Sequence, residues 1–376
     1  MKYPDFLKPG GVIGFVAPSF GCDTEPYKSS FDNALEVFRG MGYFLKLGPN
    51  CYASEGIGIS NTPQKCAAEL QEFYTSEDSD VLISCGGGEL MCEILSHLDF
   101  DKISRAVPKW FIGYSDNTNF TFLLTTICDV ASIYGPCAST YGQNPWNQSV
   151  KDAFDVLIGK FRTAKNYEAY EVESLKNEEN PLATFNCTRS TDIKAFVPRT
   201  HLLNERVMLT YDVCSNGEVF RQESPLRTEG VMLTDSASFS GRIIGGCMEC
   251  LVSLIGTGFD HVSEFIDKYK QDGIIWYIEA CYLSEYVFRA NMWHMYEAGW
   301  FKYVKGFIFG RPGYGGDDFG LNRFDAALPV ACKELKVPVI MDADIGHVPP
   351  SMPIINGSLA KVDYDNGHLM IRMSLS

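Results

Sequence analysis

Trp110-Phe111-Ile112-Gly113-Tyr114-Ser115-Asp116-Asn117-Thr118-Asn119-Phe120 packs a strand, a turn and the start of a helix into a few residues. The apolar run Trp110 to Ile112 predicts a short buried strand, Gly113 and the polar residues after it a sharp turn, and Asp116 to Ile127 a helical segment. A serine at such a strand-to-helix turn stands off the sheet with its hydroxyl free. The first amides of the helix, and its dipole, favour negative charge developing beside that hydroxyl. This is the logic of a nucleophile elbow, although Asn117 replaces the second glycine of the G-x-S-x-G form. Ser115-Asp116 could equally be no more than an N-cap.

Working outward, the flanking sequence repeats the same alternation. Strands are expected at Gly11–Ala17, Tyr43–Leu47, Val81–Ser84 and Ala131–Gly135. Helices are expected at Phe31–Met41, Pro63–Tyr74, Glu89–Leu98 and Ser149–Phe161. Strand and helix in alternation argue for a parallel sheet covered by helices on both faces, with sites at the carboxyl ends of its strands. Ser19, the Gly86-Gly87-Gly88 loop and Ser115 all fall at such ends. The fold class expected is α/β: a Rossmann- or flavodoxin-like parallel-sheet N-terminal domain over residues 1–165, a connector or insertion over 166–230, and a smaller β-rich C-terminal domain over 231–376. Residues 163–230 are polar, acidic and irregular, with short alternating patterns at 194–221 that suggest an extra hairpin. In the last part, strands are expected at Val231–Leu233, Arg242–Ile244, Ile274–Glu279, Gly306–Gly310 and Val337–Met341. Gly245–Leu251 should open a helix, and Asn366-Gly367 should join two strands as a hairpin.

Composition narrows the function classes. The 376 residues carry a formal net charge of -15, so the surface repels nucleic acid and anionic lipid, and neither is expected as a partner. The longest apolar runs are strand-length, well short of a membrane span, and Met1–Gly10 lacks a signal-peptide apolar region. The 13 cysteines are odd in number, scattered and mostly in apolar segments, which points to a reducing cytoplasm rather than a disulfide framework.

An attacking serine needs a base, usually histidine, and a carboxylate to orient it. Of the six histidines, His347 stands out, because it follows a strand ending in Asp342 and Asp344 and precedes Pro349-Pro350. Those two aspartates with His347 could instead hold a divalent metal. Glu279 ends an apolar strand, where a carboxylate is partnered or costly; it could hold an imidazole in one tautomer, form a salt bridge or cap the next helix. The Gly86–Gly88 loop fits neither G-x-G-x-x-G nor a P-loop. It could turn tightly, approach a phosphate or donate amides to an oxyanion. Arg242 and Arg311, each beside a glycine-bearing motif, are candidates to receive a substrate carboxylate or to form plain ion pairs.

Together, Val12–Ser19, Ile83–Gly88, Phe111–Asp116, Gly241–Gly246 and Met341–Pro353 with Gly357 resemble the LD-carboxypeptidase family of serine peptidases. The resemblance is strongest to its branch of microcin C self-immunity peptidases. It implies Ser115 as nucleophile, His347 as general base, Glu279 as its orienting carboxylate, and an oxyanion hole from the amides of Asp116, Gly87 and Gly88. It also implies a site between two domains, a homodimer, and no cofactor or metal. Two departures bear on substrate. Cys247 stands where many members have Asn, and Cys85-Gly86-Gly87-Gly88-Glu89 replaces the Arg-Gly-Gly-Tyr-Gly form of the peptidoglycan-recycling enzymes. The expected function is therefore a serine carboxypeptidase cleaving an amide near a free carboxyl terminus. A peptidyl or aminoacyl nucleotide is the favoured substrate, and a muropeptide with an L,D bond is the alternative. A non-catalytic two-domain ligand-binding protein is the rival of another class.

Overall fold

Five strands run parallel in the order the alternation predicts. They are β1 (Val12–Val16), β2 (Phe44–Leu47), β3 (Val81–Ser84), β4 (Trp110–Gly113) and β5 (Ser132–Tyr134). The computed structural model describes the chain except residues 200–206, 216–217, 228–229 and 314–320, and for 212–215 and 218–220 the backbone alone. After β5 come β6 (Thr163–Lys165), β7 (Ala169–Glu171), β8 (Cys187–Ser190) and β9 (Lys194–Pro198). Next are β10 (Met208–Ser215), β11 (Glu218–Pro225), β12 (Val231–Thr234), β13 (Ser236–Cys247), β14 (Ile274–Glu279) and β15 (Val304–Gly310). Last come β16 (Val339–Ala343), β17 (Ile354–Asn356), β18 (Leu359–Asp365) and β19 (His368–Ser374).

The first sheet has the order β17-β5-β4-β3-β1-β2, its last-arriving member β17 antiparallel to β5. Every residue of β3 and β4 is buried, as an apolar run covered on both faces requires. Phe111 of β4 meets Phe120 of the following helix edge-on at 4.9 Å, which fixes how the helix leaves the strand. Each such fully buried aromatic contributes about 1.5–3 kcal/mol of transfer free energy.

The second sheet has nine strands in the order β12-β9-β16-β15-β14-β13-β18-β19-β6. Its centre, β13 to β16, is parallel and its flanks antiparallel. Thus β14 and β16 end at the same edge, the one that carries the chemistry. The β18–β19 hairpin turns at Asn366 and Gly367, with φ of 47° and 85°, the left-handed pair a two-residue turn needs.

Three local expectations are corrected. Gly245, Gly246 and Cys247 do not open a helix: β13 stays paired with β14 up to Cys247–Glu279, and the helix begins at Met248. The Glu89–Leu98 helix is a 3₁₀ segment over Met91–His97. Asp116 lies in a 3₁₀ turn, and the α-helix behind it starts at Thr118. The hairpin suggested within 194–221 exists as β10–β11. Among the described residues, no helix is long and apolar enough to cross a membrane.

Candidate active site

Ser115 takes φ of 61°, a left-handed backbone unusual for a residue with a side chain. Such a conformation costs on the order of 1–3 kcal/mol and persists only where the surroundings impose it. Here they do. Ser115 N–H donates to Tyr134 Oη at 3.0 Å. Asn117 Nδ2 donates to Tyr114 O at 3.1 Å and to Gly86 O at 2.8 Å, tying the elbow to the glycine loop. Asn117 therefore has a structural use at the position where the hydrolase motif has glycine.

Asp116 is the second anchor. Its carboxylate accepts from Ser19 Oγ at 2.6 Å, Met91 N–H at 2.8 Å and Asn119 Nδ2 at 3.0 Å. Burial pushes its pKa up to about 6, with these donors opposing the shift. The serine that ends the first strand segment is thus a strut for the elbow.

His347 arrives from the loop after β16. Its Nε2 lies 2.8 Å from Ser115 Oγ, and its Nδ1 lies 2.7 Å from Glu279 Oε2. Glu279, fully buried at the end of β14, accepts the Tyr134 hydroxyl proton on Oε1 at 2.5 Å. Burial alone would raise the Glu279 pKa. The facing imidazole and the Tyr134 hydroxyl hold it below the ordinary carboxylate value. For His347, burial opposes the charged form, but the Glu279 charge and the hydrogen bond with Glu279 carry its pKa above the usual 6.5. Gly346 makes this approach possible: with φ of 105°, a Cβ there would sit 2.3 Å from Glu279 Oε2.

The neighbouring aspartates do not bind a metal with His347. Asp342 pairs with Arg323 at 2.6 Å, and Asp344 pairs with Arg311 at 2.8 Å while accepting Tyr167 N–H at 2.8 Å. Among the described residues, the one His/Cys/carboxylate set close enough to share an ion is Cys247, Glu279 and His347.

Gly87 lies against the nucleophile: a Cβ there would be 3.1 Å from Ser115 Cβ and 3.3 Å from its Oγ. Gly88 is packed on Ser19, and the Gly87 carbonyl accepts Phe20 N–H. The loop thus lines the same cavity as Ser115 and His347, about 690 Å³ in volume.

Arg242 and Arg311 do not line that cavity. Arg242 is committed to Asp272, the Gly357 carbonyl and the Tyr269 ring. Arg311 is committed to Asp344 and the Asp342 carbonyl, stacked 3.9 Å over Tyr170. Both are engaged in ion pairs, the second of the two readings that the sequence leaves open. Among the described residues the cavity's single lysine or arginine is Lys176, from the acidic stretch read as a connector. Its ammonium lies 5.4 Å over the Tyr27 ring, and burial lowers its pKa to about 8. Phe20, Tyr27 and Tyr282 present exposed rings to the same space. Sequence reasoning missed Lys176, since a lone lysine among glutamates carries no local signal. It also missed Tyr134, whose signal was its place at the end of the strand beside β4. His97, His261, His294 and His368 do not line the cavity, and His201 lies outside the described residues.

Comparison with known proteins bears on the family and the fold. Family profiles described as the LD-carboxypeptidase N-terminal and C-terminal domains match residues 13–135 and 240–362. The microcin C7 self-immunity protein MccF of Escherichia coli is 29% identical over 140 residues, which cover 37% of this chain and 40% of that protein. The match thus spans less than half the length of that relative. Over the whole of both chains, the structure of MccF in complex with aspartyl sulfamoyl adenosine superposes with a TM-score of 0.73 at 20% identity. The muramoyltetrapeptide carboxypeptidase of Oxalobacter formigenes superposes with 0.64 at 17% identity, over 97% of this chain and 99% of that one. These structural likenesses establish the fold. With both domain profiles matched in order over more than half of its length, the chain belongs to the LD-carboxypeptidase family of serine peptidases.

Proposed function

We propose that this protein is a serine carboxypeptidase that hydrolyses an amide bond near a free carboxyl terminus. The observation that carries the reading is the relay Ser115 Oγ–His347 Nε2 at 2.8 Å and His347 Nδ1–Glu279 at 2.7 Å, opening on one large cavity. Ser115 Oγ attacks the carbonyl carbon while His347 Nε2 takes its proton. Glu279 stabilises the imidazolium that results. The oxyanion is received by first-turn amides at Asp116 and by the Gly87–Gly88 backbone. His347 returns the proton to the leaving amine, and the acyl group stays on Ser115. Water, deprotonated by the same imidazole, then releases the acid.

A peptidyl or aminoacyl nucleotide is the favoured substrate. The exposed rings of Phe20, Tyr27 and Tyr282 offer faces on which a base can stack. Lys176 offers a cation to an anionic group of the substrate. The related MccF structure with aspartyl sulfamoyl adenosine supports the same choice. The setting we propose is a reducing cytoplasm, supported by described cysteines that are free thiols, and the assembly a homodimer, to be checked by sedimentation.

The test is mass spectrometry of an aminoacyl-sulfamoyl adenosine and a muropeptide tetrapeptide incubated with wild type and Ser115→Ala. Cleavage of the adenosine conjugate, reduced at least about 10⁴-fold in the variant, is the expected result. Loss of a terminal residue from the muropeptide alone would transfer the reading to cell-wall recycling. Equal, negligible turnover by both proteins on both compounds would remove the enzyme reading in favour of a ligand-binding protein.

A further inference from the structure

Beside Ser115 lies a second, smaller pocket of about 90 Å³. Four thiols line it: Cys92, Cys247, Cys250 and Cys281. So do three carboxylates, those of Glu89, Asp116 and Glu249, and among its described lining residues there is no lysine or arginine. A wall of thiols and carboxylates without a compensating cation suits a soft divalent metal. Pairing of β13 with β14 sets Cys247 directly beside Glu279. Ligand atoms of Cys247, Glu279 and His347 all lie within 4.8 Å of one another. Tetrahedral zinc, with bonds of about 2.0–2.3 Å, places its ligand atoms about 3.3–3.8 Å apart. The three groups can therefore close on an ion through side-chain adjustments alone, the 2.7 Å contact between Nδ1 and Oε2 opening to admit it.

We infer that Cys247, Glu279 and His347 form a binding site for a thiophilic divalent cation, Zn²⁺ in the first instance, whose occupation switches the proposed hydrolase off. Binding displaces the Cys247 thiol proton to solvent. The thiolate, the Glu279 carboxylate and the neutral imidazole then balance the two positive charges. If Nδ1 is the ligand, the ring proton moves to Nε2; if Nε2 is the ligand, its lone pair is taken. In either case the imidazole no longer accepts the Ser115 proton. Cys281, which lines the same pocket as Cys247, is placed to approach the remaining coordination position. The inhibitory consequence rests on the catalytic reading above; the binding itself does not.

The test therefore reads binding and activity separately. The full-length protein, stripped with chelator, is titrated with Cd²⁺ while the ultraviolet thiolate-to-metal charge-transfer band is followed. Zn²⁺ affinity is measured by competition with a chromophoric chelator. One equivalent of metal should saturate the band in wild type and in the inactive Ser115→Ala. Cys247→Ser and Cys247→Asn should weaken affinity at least tenfold, and so should His347→Ala, which leaves every thiol in place. Hydrolysis by wild type should fall with Zn²⁺ and return with chelator. Each Cys247 variant, compared with its own metal-free rate, should need at least tenfold more metal for the same loss. A band absent from wild type, or unchanged in Cys247→Ser and His347→Ala, overturns the site. A band that depends on these residues in a protein hydrolysing neither compound would sink the proposed function and leave the metal site standing.

Discussion

Tyr134 offers the sharpest test of how the site is assembled, because it touches both the nucleophile and the orienting acid without lining the cavity. Its hydroxyl oxygen accepts Ser115 N–H at 3.0 Å and its proton goes to Glu279 Oε1 at 2.5 Å. Tyr134→Phe removes both bonds and little volume. A hydrogen bond to a charged group contributes about 1.5–3 kcal/mol, and a buried amide left without an acceptor costs about 1–3 kcal/mol. The second of these falls on the strained Ser115 backbone, with its φ of 61°. If about half of the combined cost appears at the transition state, kcat falls by about one to two orders of magnitude at 1.36 kcal/mol per decade. KM should stay within about twofold, since Tyr134 is absent from the lining. Losing the donor also leaves more of the Glu279 charge for the imidazolium, so the acid limb of the pH–rate profile should move to higher pH. Steady-state kinetics across pH with the aminoacyl-sulfamoyl adenosine measures all three. An unchanged kcat with an unchanged acid limb would refute the claim that Tyr134 sets the geometry of the relay.

Two further outcomes follow from the same contacts. The base works only when neutral, and Glu279 raises its pKa above the ordinary 6.5, so kcat/KM should be full above that raised value and lost as pH falls through it; an acid limb below 6.5 in wild type would contradict the His347–Glu279 coupling. Lys176→Gln should raise KM about tenfold with kcat nearly unchanged, and the effect should shrink above pH 8, where the lysine of wild type, lowered to about 8, sheds its own charge; a fall in kcat at constant KM would move Lys176 from binding to chemistry.

Much of this was readable in the chain because it is local. The run Trp110–Ile112 with the turn behind it announced an elbow, Asn366-Gly367 announced a hairpin, and apolar strands stopping at Glu279 and before His347 announced a sheet edge bearing charge. What stayed hidden depends on pairing between distant strands. Nothing in the residues around Tyr134 says that it will meet Glu279, 145 positions later. For Arg242 and Arg311 the sequence leaves two readings open, carboxylate receiver or plain ion pair, because their partners Asp272 and Asp344 come near only through the fold. The Gly245–Leu251 stretch reads as a helix opening, whereas pairing with β14 keeps Gly245–Cys247 extended.

The placement of β17 bears on whether the two halves of the chain can be separated. Only six residues divide His347 from Ile354, yet His347 stands in the loop that leaves β16 of the nine-stranded sheet and Ile354 begins the strand that seals β5 in the other sheet. A fragment ending before residue 354 would leave β5 with a row of unpaired amides and carbonyls, the kind of open edge that recruits other chains. Expressed apart, the halves should each be prone to aggregation; mixed while unfolded and refolded together, they should recover both the missing strand and the histidine that travels with it.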